Sequence, residues 1–186
     1  HTIAERPELR PFVEKLELHA WPRFMLHGDV RSWHLLFETF AECQLLLCRP
    51  GGELLAVGHT VPLFWDGSFS GLPATIEAII ARAEQGRRER RPANAFSALA
   101  AMVEPAQRGH GLSGMIVEEM KALAARRGCG LLIAPVRPTW KSRYPLMPME
   151  RYVAWRRDDG APFDPWLRVH QRLGARPLGI VPASVT

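Results

Sequence analysis

Hydrophobic positions along the chain change period several times, and each change marks an element. From Glu8 to His19 the apolar residues Leu9, Phe12, Val13 and Leu16 recur at helical spacing, and Pro7 suits the first turn, so a helix is expected there. Trp21-Pro22-Arg23-Phe24 interrupts it. A second helix is expected after Asp29, a good N-cap residue, burying Trp33, Leu36, Phe37 and Phe40. Cys43 to Cys48 and Glu53 to Phe64 are apolar runs of strand length, and Arg49-Pro50-Gly51-Gly52 between them is a hairpin signal. Pro62 and the Trp65-Asp66-Gly67 turn close the second run. After Leu72-Pro73 the spacing of Ile76, Ile79, Ile80 and Ala83 is helical again.

The pattern is clearest from Asn94 to Val136. Ala95 to Val103 is an apolar, alanine-rich run short enough to be a buried strand, and Gln107 to Gly114 is a glycine-containing loop. Leu112, Met115, Ile116, Met120 and Leu123 then follow a helical period, with Glu118, Glu119, Lys121, Arg126 and Arg127 turned the other way. Gly128 stops that helix, and Leu131 to Val136 reads as a second buried strand. A loop placed so, between a strand and a helix, aims backbone N–H groups and the positive end of the helix dipole at one point, where a phosphate is favoured. Beyond it, Arg137-Pro138-Thr139-Trp140-Lys141-Ser142-Arg143-Tyr144-Pro145 has no regular pattern and is expected to be a loop. Met149 to Trp155 suggests a short helix. Asp164 as N-cap and Pro165 at the first helical position start another, which runs through Leu173 to a stop at Gly174. Ile3-Ala4-Glu5 and Ala175 to Val181 are expected to be a first and a last strand.

The glycines admit more than one reading. Gly109-x-Gly111-x-x-Gly114 matches the dinucleotide fingerprint, but a Rossmann unit brings its first glycine directly after the strand and continues into further βαβ repeats. Here Glu104 to Arg108 intervenes, no repeat follows Val136, and Arg137 stands where an acidic ribose ligand is expected. Gly111-Leu112-Ser113-Gly114 falls one residue short of a nucleophile elbow, because Met115 occupies the place of the second glycine. The better match is Val103-x-Pro105-x-x-Arg108-Gly109-x-Gly111, which closely resembles motif A of the GNAT superfamily of N-acyltransferases. In that motif Arg/Gln-x-x-Gly-x-Gly/Ala wraps the coenzyme A pyrophosphate. Arg108, Gly109, His110, Gly111, Leu112 and Ser113 stand in its six places, Ser113 replacing a Gly or Ala. The resemblance is strong from Leu99 to Leu131 and elsewhere rests on the order of elements.

The resemblance implies an α/β GNAT fold, with a mixed central sheet of about six strands flanked by helices, over a single domain spanning residues 1–186. Only Pro182 to Thr186 remains for the strand that usually closes the sheet, so either the chain is cut short here or that strand comes from elsewhere. A homodimer stands among the partners the resemblance allows. It implies acetyl-CoA as acyl donor, held by the backbone of Ala101, Met102 and Val103 along the pantetheine arm and by Arg108 to Ser113 at the pyrophosphate. The reaction it implies is direct attack of an amine on the thioester, with a proton taken from the ammonium and one returned to the thiolate. Tyr144 falls where a GNAT tyrosine commonly follows the strand and is the preferred acid. His170 occupies the same slot when counted back from Leu173-Gly174 and is the alternative. Ser97 stands where some relatives carry a glutamate base, which leaves a water-mediated base or an amine that is already neutral.

Composition changes this picture little. With 47% hydrophobic and 23% charged residues in 186, the chain is of soluble globular type, without a membrane-length apolar run or a signal peptide. It opens on His1 rather than Met, so an upstream start is expected. Cys43, Cys48 and Cys129 lie in apolar runs without metal spacing, as reduced core thiols of a cytoplasmic protein, and no His/Glu metal motif is present. The net charge of +5 owes much to Arg87-Arg88-Glu89-Arg90-Arg91. That run suits a nucleic-acid patch or a solvated helix end, and the lack of interleaved aromatics favours the helix end. Arg137, Lys141 and Arg143, with Arg168, point to an anion, either a CoA phosphate or a carboxylate on a small-molecule amine acceptor. Three functions follow. The first is a CoA-dependent N-acetyltransferase. The second is a non-catalytic acyl-CoA-binding sensor or partner module, favoured by Ser97. The third is an NADP-binding fragment, supported only by the glycines and Arg137.

Overall fold

A computed structural model describes residues 1–21 and 31–181. The chain forms two compact units, His1–Ala134 and a second that starts at Pro135.

The first unit is built on a mixed sheet of four strands in the order β1-β2-β3-β4: β1 (Gln44–Cys48), β2 (Leu54–Leu63), β3 (Ala95–Val103) and β4 (Leu131–Ile133). The first three are antiparallel neighbours, whereas β3 and β4 run parallel. The β1–β2 turn closes with Arg49 N–H on Glu53 O at 2.9 Å and Gly52 N–H on Arg49 O at 2.9 Å. Gly51 and Gly52 both hold the positive φ that glycine adopts without cost.

Among the described residues the sheet has four strands, not the six expected. The first strand reduces to a single bridge between Thr2 and Leu45. The segment Ala175–Val181 is largely exposed and forms no strand, since an extended run becomes one only when a neighbour pairs with it. β4 ends at Ile133 rather than Val136, where Pro135 and Pro138 deprive the chain of ladder donors.

Helices cover both faces. α1 (Arg10–Ala20) follows a 3-10 turn at Pro7–Leu9 and buries Val13 and Leu16, while Phe12, expected on its apolar face, is 59% exposed. Beyond the 3-10 turn Arg31–His34 comes the one-turn α2 (Leu35–Glu38), which buries Leu36 and Phe37. The expected N-cap Asp29 and the break at Pro22 to Phe24 lie outside the described residues. α3 (Ile76–Arg88) is capped by Thr75, whose Oγ1 accepts from Ala78 N–H at 3.1 Å, and it buries Ile79, Ile80 and Ala83. α4 (Leu112–Arg126) buries Ile116, Val117, Met120, Leu123 and Ala124. Each such aliphatic side chain contributes about 1.5–3 kcal/mol relative to exposure.

Residues of β2 alternate between the two faces. A Cβ at Gly58 would lie 2.6 Å from Met120 Cε and 3.1 Å from Ile116 Cγ1, so α4 packs directly on this backbone and a larger residue would require Met120 to shift. Its neighbour His59 points the opposite way, toward α1 and α2.

The basic run is the end of α3. Glu84 accepts from Arg87 at 2.9 Å and Arg88 at 2.7 Å, and the Arg87 hydrogen bond leads in holding its carboxyl down to about 2. The Arg91 guanidinium lies 3.7 Å over the Phe64 ring. Cys43 and Cys129 are buried free thiols, and burial pushes Cys43 up to about 12.

The second unit carries α5 (Met149–Ala154) and α6 (Pro165–Arg172). α6 begins as its sequence specifies, with Asp164 accepting from Trp166 and Leu167 N–H and Pro165 in the first turn. Among the described residues, no helix is long and apolar enough to cross a membrane.

Candidate active site

The site starts from a fork in the sheet. β3 and β4 pair only at Ala95↔Leu131, Phe96↔Leu132 and Ser97↔Ile133, although β3 continues to Val103. On its other side β3 stays paired with β2 throughout, and the register shifts between His59↔Ala100 and Thr60↔Ala98, so that Leu99 is the extra residue of a bulge. From Ala98 onward the backbone of β3 therefore presents its β4-side edge without a strand neighbour among the described residues. Such an edge offers N–H and C=O groups to an extended ligand. Ala100 and Ala101 are half-buried, and their small side chains leave the edge open. Met102 is buried in the core, so its contribution to this edge is backbone alone.

β3 leads directly into the glycine loop. Glu104 N–H still bonds Leu55 O at 2.9 Å, and a 3-10 turn follows at Pro105–Gln107. Gly109 has φ 86° and Gly111, the N-cap of α4, has φ 77°. A Cβ at either would meet nothing within 4 Å, so the left-handed backbone, and not crowding, calls for glycine here. Gly114 and Met115 N–H both return to Gly111 O, at 2.9 and 3.2 Å. Among the described residues, none accepts from the N–H groups of Gly109, His110, Gly111, Leu112 or Ser113. These donors sit at the positive end of a 15-residue helix, the chemistry of an anion cradle. Arg108, Gly109, His110 and Gly111 are exposed around it, Leu112 and Ser113 half-buried. His110 Nδ1 lies 3.1 Å from Gln107 O. The residues expected to hold a diphosphate are thus brought together, and the donor set fits that group.

Ser97 is buried at the last paired position before the fork. It supplies no carboxylate.

Tyr144 and His170 lie in the second unit. Tyr144 is half-buried, edge-on to Trp155 at 5.0 Å and to Phe163 at 5.7 Å, and 5.8 Å from Tyr152. His170 is buried against Trp166 at 4.5 Å; its Nε2 has no hydrogen-bond partner among the described residues, and burial lowers its pKa, which favours the neutral ring. The two rings do not share a cluster. An open groove of about 420 Å³ lies beside Tyr144, lined also by Leu146, Met147 and Arg151. A second groove of about 390 Å³, between Ser32 and α3, is remote in sequence from the glycine loop and includes none of it.

The cations of this unit are partly committed. Lys141 Nζ donates to Tyr144 O at 2.9 Å, and Arg168 Nη1 donates to Pro162 O at 2.9 Å and Phe163 O at 2.6 Å. The exposed Arg143 guanidinium lies over the Trp140 ring, 4.9 Å from its centroid. Sequence reasoning marked Asp164 only as a helix cap. It also accepts from Thr139 N–H at 3.2 Å, Trp140 N–H at 2.8 Å and the Tyr152 hydroxyl at 2.8 Å, tying the basic loop to α6.

No protein-family model matches the chain. Over 206 aligned residues it is 32% identical to arginine N-acetyltransferase avaD of Aspergillus versicolor, an alignment that covers all of this chain and 70% of that protein. Among solved structures it resembles the loading GNATL domain of CurA from Lyngbya majuscula, with TM-score 0.76 and 19% identity over 95% of this chain and 84% of that one. It also resembles the GphF GNAT-like decarboxylase solved with isobutyryl-CoA, with TM-score 0.66 and 21% identity over 91% and 83% of the two chains. At these identities the two structures establish a GNAT-like fold.

Proposed function

Because the chain belongs to the GNAT-type N-acetyltransferases, we propose that it transfers an acetyl group from acetyl-CoA to the amine of a small, carboxylate-bearing acceptor of the arginine type. The observation that carries this reading is the continuity of two features. A strand edge that loses its neighbour at Ala98 runs straight into a loop whose N–H groups at Gly109 to Ser113 point at no acceptor among the described residues. The first suits an extended amide-bearing arm, the second its diphosphate.

In this reading the backbone of Ala101, Met102 and Val103 holds the pantetheine, and Arg108 to Ser113 holds the pyrophosphate, with the exposed Arg108 and His110 side chains at its rim. Acetyl-CoA supplies an acyl carbon already activated as a thioester. What the protein adds is alignment of amine and carbonyl and the movement of protons. Tyr144 returns the proton to the leaving sulfur. His170 is the weaker choice for that role, because burial holds it neutral and a neutral imidazole is a poor proton donor. The acceptor assignment rests on the curated relative, an arginine N-acetyltransferase, and on the exposed cation at Arg143.

The test is release of free thiol from acetyl-CoA with arginine and with a panel of unrelated amines. Turnover with arginine, reduced in Tyr144→Phe more than in His170→Ala, is the expected result. Tight acetyl-CoA binding without thiol release to any amine would overturn it in favour of a non-catalytic acyl-CoA-binding module.

A further inference from the structure

The first unit buries a histidine that nothing above employs. His59 is 0% exposed on β2, and its Nδ1 lies 3.0 Å from Gln44 Oε1. The Gln44 amide is fixed in orientation, because its Nε2 donates to Phe40 O at 2.7 Å and to Thr60 O at 3.0 Å. Its oxygen is therefore the end that faces the ring, and His59 Nδ1 is the donor that carries a proton.

The other ring nitrogen has a different neighbour. Nε2 lies 3.0 Å from Glu17 Oε1, without the alignment of a hydrogen bond. That oxygen already accepts from Trp33 Nε1 at 3.1 Å. A bare lone pair and a carboxylate oxygen at this separation repel, and in a buried setting the repulsion is poorly screened. One further proton removes the conflict, whether it resides on Nε2 or on the carboxyl. The groups facing the ring are Glu17 from α1, Gln44 from β1, and the edges of Trp33 at 5.2 Å and Phe37 at 5.8 Å; Arg10 lies 4.7 Å over Phe37. The Glu17 side chain is 13% exposed, so the buried ring connects outward through it.

The pair also stands at a particular level of the sheet. His59 is in register with Ala100, beside the bulge at Leu99, where the free edge of β3 has just begun. One strand, roughly 5 Å of sheet, separates it from the fork. It faces α1, away from the α4 side on which Gly58 packs.

We propose that Glu17 and His59 form the proton acceptor for the acceptor amine, with Glu17 as the group that meets the ammonium and His59 as the positioning residue behind it. The proposal rests on the acyl-transfer reading above. In the step, one ammonium N–H bond breaks and one O–H bond forms on the Glu17 carboxyl. The amine keeps the electron pair, and the pair goes from one net negative charge to neutral. Loading the proton on Glu17 removes the repulsion between its carboxylate and the bare Nε2 of His59, and the proton later leaves to solvent through the exposed part of Glu17. This supplies the base that Ser97 does not.

Two measurements test it. Glu17→Gln keeps an acceptor for Trp33 and should lower kcat about 100-fold or more while acetyl-CoA affinity stays within about twofold. The loss should shrink as pH rises and the amine ionises without help. An unchanged kcat, a loss confined to acetyl-CoA affinity, or a deficit independent of pH would overturn the proposal. Should that variant fail to fold, His59→Asn retains a donor to Gln44 and is read the same way. The second measurement is nitrogen NMR of the His59 ring in the wild-type protein. Nδ1 should carry its proton throughout, and the Nε2 signal should move on Glu17→Gln. A ring protonated only at Nε2 would sink the idea. If wild type binds acetyl-CoA and turns over no amine, the acyl-transfer reading fails, and the ring measurement still decides whether His59 meets Glu17 with a bare Nε2.

Discussion

The Tyr152 hydroxyl donates to Asp164 Oδ2 at 2.8 Å, and both side chains are 1% exposed. Burial, then this hydrogen bond, raises the phenol above its ordinary pKa, so it remains a donor at any physiological pH. The same carboxylate accepts from the N–H groups of Thr139, Trp140, Trp166 and Leu167, joining the basic loop to the start of α6.

Removing the two partners should therefore have unequal effects. Asp164→Ala strips a helix cap and leaves buried N–H groups without an acceptor, an expected loss of about 3 kcal/mol. For a chain of this size that is a Tm lowered by roughly 6–12 °C. Tyr152→Phe leaves the other donors satisfied and should cost about 1 kcal/mol. Thermal melts of the two variants check the order, and equal losses would show that Asp164 acts chiefly through Tyr152.

At Gly111 the backbone φ is 77° with open space where a Cβ would stand. Gly111→Trp should thus fold, at a strain of about 1–2 kcal/mol from the left-handed backbone. Its side chain would occupy the space in front of the loop N–H groups and weaken acetyl-CoA binding by about 100-fold. Calorimetry with acetyl-CoA, beside a circular dichroism spectrum matching wild type, measures both. Unchanged affinity would remove the pyrophosphate from this loop.

His170 makes the folded state sensitive to acid. Burial lowers its pKa, so below the ordinary histidine value of about 6.5 the unfolded chain binds the proton that the folded chain refuses. The stability concerned is present above that pH and is lost as pH falls through the lowered folded value. Its steepest slope is about 1.4 kcal/mol per pH unit, the value for one proton. In urea titrations across that range wild type should lose stability relative to His170→Leu as pH falls. Parallel curves would show that the ring titrates as if in solvent.

Local signals were legible in the sequence and non-local ones were not. Asp164, Pro165 and Gly174 delimit α6 because capping is decided by neighbours within a turn. The glycine loop was legible for the same reason: its positive φ values fall on Gly109 and Gly111, within three places of the first helical residue. Ala175 to Val181 has strand composition without a pairing partner, and only the partner makes a strand. Ile3 to Glu5 likewise yields one bridge. His59 and Glu17 are separated, among the described residues, by α2 and β1, and no period links them. The same holds for Asp164 and Thr139, whose contact spans a loop and α5. Phe12 misled because helical spacing says which residues share a face, not how far the sheet extends beneath it.

The last expectation concerns what the basic loop selects. Lys141 and Arg168 spend donors on the carbonyls of Tyr144, Pro162 and Phe163, which leaves them poorly placed to bind an anion as a fork. Arg143 differs. Its guanidinium is exposed and lies over the Trp140 ring at 4.9 Å, a cation–π contact that leaves N–H groups of the planar fork for a carboxylate. Lysine cannot reproduce that plane, so Arg143→Lys should behave nearly as badly as Arg143→Ala. Both should raise KM for arginine about tenfold, near the energy of one charge-assisted hydrogen bond, and leave KM for argininamide almost unchanged. A lysine-rich peptide should be a poor acceptor in wild type at low salt and improve as salt screens the repulsion. The measurement is turnover of arginine, argininamide and the peptide at equal concentration, at two ionic strengths, in the three proteins. Preference for the peptide, or indifference of wild type to the carboxylate, would show that Arg143 does not choose the acceptor and that its charge serves the phosphates of coenzyme A.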